Sequence, residues 1–232
     1  MEPQIYMWGG AKEMFLSRHD FFVEQVKARV LGNFENMDEE ADRVATEVYE
    51  RIGSMQACYD EDLSSAAEAA WEHGFEFYSM LSDMKVQTTL GALASLYHQW
   101  DKQFRDFLER ELSHAYDRQE VAKYCWQPNI GKLFEILENF GWSVRETQWF
   151  RLIDACRLIV NVYKHGKGRS FDELASGYPQ YFESYQVAAS EHPWVTAPSY
   201  EDLAVSEEQF DEIAGALRQF WMDFPERLFL VS

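Results

Sequence analysis

The sequence predicts an all-α protein, a helical bundle with long antiparallel helices. Apolar residues recur at spacings of three and four over most of the chain. Serine-led capping boxes and glycine stops divide that pattern into segments of helical length. Hydrophobic residues make up 47% of the 232 residues and aromatics 16%, enough to bury a sizeable core.

The first ten residues read as a loose or docked tail. From Ala11 to about Asn33, Met14, Phe15, Phe22, Val26 and Val30 follow a helical period. A second helix is predicted from Glu39 to Ala57, with Val44, Val48 and Ile52 on one face. A third, from Ser65 to about Leu81, is capped by Asp62 or Ser65, with Glu68 completing a capping box. Residues 84 to about 117 give the longest signal. Leu90, Leu93, Tyr97, Trp100, Phe104, Phe107 and Leu108 form its apolar stripe, and His98, Asp101, Arg105 and Glu109 a polar one. Gly131 to Phe140 reads as a short helix closed by Gly141.

The box Ser143–Glu146 opens a central helix that His165 and Gly166 close. Ser170–Glu173 begins a short helix ending near Gly177. Residues 178–205 contain Pro179, Pro193 and Pro198 and little period, which predicts an irregular loop or lid, or else a short strand or two around Tyr185 to Ala188. Ser206–Gln209 caps a last helix over 206–227, with Phe210, Ile213, Leu217, Phe220 and Trp221 turned inward. No repeat and no clear linker interrupts the chain. The expectation is one domain over 1–232, with a bundle at 11–177, the irregular segment at 178–205 and the last helix.

The net charge of −19 excludes non-specific nucleic-acid binding over the whole surface, because phosphate contact needs local Lys and Arg. The charge is unevenly spread. Residues 145–170 hold six of the 21 basic residues and only two of the 40 acidic ones. An anionic ligand would bind at this basic island. No apolar run approaches the ~20 residues that span a bilayer, so no membrane partner is predicted. The opening MEPQIYMWGGAKEMF lacks a basic region ahead of an apolar run. The three cysteines, Cys58, Cys125 and Cys156, form no C-x-x-C pair. These features predict a cytoplasmic protein in a reducing compartment.

The central helix carries the chemistry. On a wheel of about 100° per residue, Trp149, Leu152, Ile153, Cys156, Ile159, Val160 and Tyr163 share one apolar face. Asp154, Arg157, Asn161 and His165 form a separate ladder at spacings of three and four. Asp154 is placed to hold Arg157, and Asn161 to orient Arg157 or His165. A histidine titrates near neutrality and moves protons. An arginine neutralises a phosphate bidentately. Arg157, Asn161 and His165 are therefore the candidate catalytic residues for cleaving an RNA phosphodiester through its own 2′-hydroxyl, with no metal or cofactor. Lys164, Lys167 and Arg169 are candidate phosphate contacts. No G-x-x-x-x-G-K or G-x-S-x-G occurs, which argues against nucleotide hydrolysis and an α/β-hydrolase.

The segment RLIVNVYKH, Arg157 to His165, on a helix beside a bundle, resembles the HEPN superfamily, which includes metal-independent ribonucleases of toxin–antitoxin, CRISPR and phage-defence systems. Seven residues separate Arg157 from His165, where the family has four to six, and the polar residue stands at Asn161 instead of directly after the arginine. The resemblance implies an all-α fold, an RNA substrate, a homodimer with two Arg/His sets facing one cleft, and a protein partner such as an antitoxin. Two other readings compete. One is a non-catalytic interaction protein whose acidic helices bind a basic partner. The other is a di-metal bundle using Glu111 and His114, an E-x-x-H unit.

Overall fold

The computed structural model describes residues 4–56, 63–127, 129–192, 194 and 196–231, and it is built almost wholly of α-helices, as predicted. The expectations that fall on Ala57, Cys58, Asp62 and Pro193 lie outside the described residues. The helices are α1 (Gly9–Arg29), α2 (Met37–Gln56), α3 (Leu63–Leu112), α4 (Arg118–Cys125), α5 (Gly131–Asn139), α6 (Phe150–His165), α7 (Arg169–Gly177), α8 (Glu183–Glu191) and α9 (Glu207–Asp223). Contacts group the chain into two compact units, Met1–Glu24 with Leu90–Ser232, and Gln25–Thr89.

The core of the larger unit is aromatic. Trp100, Phe104 and Phe107 of α3 meet Phe220 and Trp221 of α9 and Phe15 of α1, all almost fully buried. Phe15 stacks on Trp221 at 4.3 Å, and Phe220 meets the rings of Phe104 and Trp100 edge-on at 4.9 and 5.0 Å. Among the described residues, the buried indole nitrogen of Trp100 has no hydrogen-bond partner. Two strands, β1 (Gln4–Tyr6) and β2 (Arg227–Phe229), pair antiparallel with Ile5 opposite Leu228, so residues 4–6 are docked. The predicted last helix ends at Asp223, four residues short of 227, and Arg227 belongs to β2 instead. In the smaller unit, α2 lies against α3 at a close approach: a Cβ on Gly74 would sit 3.0 Å from Ala45 Cβ and 3.1 Å from the Ala41 carbonyl.

The two helices expected at Ser65–Leu81 and 84–117 are one helix of 50 residues. Neither Gly nor Pro stands at 82–84, so nothing stops propagation there. The helix ends five residues early, at Leu112, and Asp117 then caps α4 through the amides of Gln119 and Glu120. Ser206 forms the expected capping box with Gln209. Ser143 does not cap the central helix: a 3-10 turn over Val144–Glu146 follows it, and α6 begins at Phe150. Ser170 caps nothing either, because α7 starts one residue earlier, after Gly168. No strand forms near Tyr185; α8 occupies that stretch, and none of its residues is buried, which explains the missing period.

Candidate functional site

Helix α6 presents its apolar face inward, with Ile153, Cys156, Ile159 and Val160 buried. Tyr163, expected on that face, is 41% exposed. The polar ladder faces a cavity of about 660 Å³ in the larger unit, lined by Asp154, Arg157 and Asn161 of α6, by Tyr97, His98, Asp101 and Arg105 of α3, and by the first residues of α5 and α7. Asp154 holds Arg157 as expected: Nε and Nη2 donate to Asp154 Oδ1. The Tyr178 hydroxyl donates to the other carboxylate oxygen at 3.0 Å, and Glu173 lies 3.7 Å from Arg157 Nη2. Burial, then the charge of Asp154, pushes the Tyr178 hydroxyl up to about 12, so it stays a donor at neutral pH.

His165 does not join this group. It is the exposed last residue of α6 and is not among the residues lining the cavity. Gly166, at φ 67°, turns the chain away directly after it. Lys164 and Lys167 are also exposed and away from the lining, whereas Arg169 lines the cavity and pairs with Glu173. The histidine that does line the cavity is His98, from the polar stripe of the long helix. Burial lowers its pKa; the charges of Lys102 and Lys164 add to that, and Asp101 opposes it. At neutral pH it is therefore a base. Only its place beside α6 distinguishes it, and a single stripe of polar residues carries no such signal.

Four arginines, Arg105, Arg145, Arg157 and Arg169, line the cavity against three carboxylates, Asp101, Asp154 and Glu173. The arginines differ in availability. Arg105 is buried and committed: Nε donates to both oxygens of Asp101, and Nη1 to the carbonyls of Cys125 and Gln127 at 2.6 and 2.7 Å. Arg145 pairs with Glu138 and donates to the Gly131 carbonyl. On Arg157, Nη1 has no hydrogen-bond partner among the described residues, and neither has the Asn161 amide. Helix α7 adds the N–H groups of Arg169 and Ser170, its first two, with no acceptor among the described residues. Free donors at a helix start beside arginines favour an anion.

No family model, curated protein or solved structure matches the chain. The site's reading therefore rests on its own geometry. Glu111, the carboxylate of the E-x-x-H unit, is buried and turned toward β1, where it accepts from the Tyr6 amide at 3.3 Å and from Arg110 at 3.1 Å. His114 lies beyond the end of α3 and is exposed. Among the described residues, no cluster of three or more His, Cys, Asp or Glu is arranged to hold a metal ion. Cys156 and Cys125 are buried in the core, and burial raises both thiols, that of Cys125 to about 11. Neither is a nucleophile at neutral pH.

Proposed function

We propose that the cavity binds the phosphate backbone of RNA and that the protein is a cytoplasmic, metal-independent endoribonuclease of a bacterial defence or toxin–antitoxin system, acting as a homodimer. One observation carries this reading: Arg157, Asn161 and His98 line the same open cavity, and so do Arg169 and Ser170, whose N–H groups begin α7 and have no acceptor among the described residues. In this reading His98, not His165, moves the proton. Neutral His98 takes the proton of the 2′-hydroxyl, whose oxygen attacks phosphorus. The bond from phosphorus to the 5′-oxygen breaks, and the protonated imidazole returns its proton to that leaving oxygen. The products are a 2′,3′-cyclic phosphate and a 5′-hydroxyl. Arg157 Nη1 and the α7 amides stabilise the negative charge that builds on the phosphoryl oxygens.

The test is cleavage of a fluorescent RNA in excess EDTA by the wild type, Arg157→Ala, His98→Ala and His165→Ala. Loss in the first two variants with retention in the third is expected. A 2′-deoxy substitution at the cut site abolishes cleavage. Wild-type rates in both Arg157→Ala and His98→Ala would sink the proposal. Sedimentation of the wild type checks the dimer.

A further inference from the structure

A second surface lies within Gln25–Thr89, a unit with fourteen Asp and Glu against five Lys and Arg. There α2 and α3 enclose a groove of about 520 Å³. Gly74 forms its floor, because the missing Cβ lets the backbone of α3 approach Ala41 and Ala45. One wall is Trp71, Phe75 and Tyr78, one stripe of α3. Trp71 and Phe75 are 66% and 61% exposed and stack on each other at 5.5 Å. Large aromatics that leave this much area in water mark an interaction surface.

The other wall carries Asp38 and Asp42, both exposed. Among the described residues, neither carboxylate is in an ion pair. Glu72 and Glu76, exposed beside the aromatics on α3, are likewise unpaired among the described residues. The charged residues that line the groove are thus both acidic, and the floor is apolar. A nucleic acid or a second copy of this acidic face would set like charge against like charge. A Lys or Arg side chain fits both parts: its alkyl stem covers the rings, its cation lies over their faces, and its head reaches the carboxylates. The acids repeat at four residues, as do Trp71 and Phe75, so a helix with cations at the same interval matches both walls.

We propose that this groove docks a basic helical segment of a protein partner, with Lys or Arg at Asp38 and Asp42 and their stems on Trp71 and Phe75. The probe is a labelled amphipathic peptide of Leu and Lys, with a Leu/Glu peptide as control, titrated into the full chain and followed by anisotropy. Saturable binding of the basic peptide is expected, weakened about tenfold by Trp71→Ala and by the double variant Asp38→Asn/Asp42→Asn. The double variant Glu47→Gln/Glu50→Gln, on α2 outside the groove, changes it by less than about threefold. The proposal is overturned if that control weakens binding as much, since the attraction is then only net charge. It is overturned equally by the absence of saturable binding, or by a dimer that Trp71→Ala dissociates, which would make a second copy the occupant.

Discussion

Arg157 and Asp154 are joined through a single oxygen: Nε and Nη2 of the guanidinium both donate to Asp154 Oδ1, at 3.0 and 2.8 Å, while Tyr178 takes Oδ2. The pair is about 30% exposed on each side, so water screens it. Under the proposed function the pair aims Nη1 of Arg157, and a screened pair adds little to the fold.

Asp154→Asn separates aim from charge. The fold loses less than about 1 kcal/mol in a urea melt, as expected of a screened pair. Under the proposed function, RNA is expected to bind more tightly, because one negative charge leaves the cavity, and turnover to fall, because the guanidinium is no longer fixed. Measured kinetics should show KM and kcat decreasing together. A variant with unchanged kcat would show that Asp154 does not position Arg157.

Arg105 behaves oppositely. It is 5% exposed and ties Asp101 to the carbonyl of Cys125, which ends α4, and to that of Gln127 just after it. Arg105→Ala leaves a poorly solvated carboxylate and two carbonyls without their donor, and is expected to cost about 3–5 kcal/mol in chemical denaturation. Arg105→Lys recovers only part of this, since one ammonium cannot reproduce the planar fork.

Stability falls on mild acidification, and His19 is one cause. The ring is 4% exposed; burial depresses its pKa below 6.5, the nearby charge of Arg218 adds to this, and Asp20 with the Ala214 backbone opposes it. The folded state therefore binds a proton less readily than the unfolded chain. This contribution is intact above pH 6.5 and is lost as the pH drops from there toward the lowered folded value. Urea unfolding at several pH values should show that decline, and His19→Gln should flatten it. His98, shifted the same way, leaves a residual slope.

Cys125 and Cys156 should resist thiol reagents in the folded protein at about pH 8, because burial raises both and closes off access. Mass spectrometry after a timed pulse of iodoacetamide, with and without denaturant, measures it. Rapid labelling of Cys156 in native buffer would contradict its placement in the core.

The helical architecture was legible because it is written locally. The apolar period of α9 and the reciprocal Ser206–Gln209 cap lie within one segment. The failures are also local in origin. Ser170 with Glu173 matches a capping box, yet Glu173 is taken by Arg169 and faces Arg157, and the helix starts at Arg169. Of the candidate site, Asp154, Arg157, Asn161 and Arg169 were readable from one helix and the turn after it. His98 was not, because it stands some sixty residues earlier and reaches the cavity only through the packing of the larger unit. The Arg157–His165 spacing invited a pairing that the helix does not support. Eight residues at about 1.5 Å each put roughly 12 Å of axis between them, and the last residue faces solvent.

The core of the larger unit is not at its optimum. An indole N–H sealed from water with no acceptor among the described residues, as in Trp100, gives up hydration worth about 1–3 kcal/mol without replacing it. Trp100→Phe should therefore cost less than the ring volume alone implies. The position also leaves headroom for evolution or engineering: a neighbouring side chain that brought an oxygen within reach would deepen the native basin without touching the cavity.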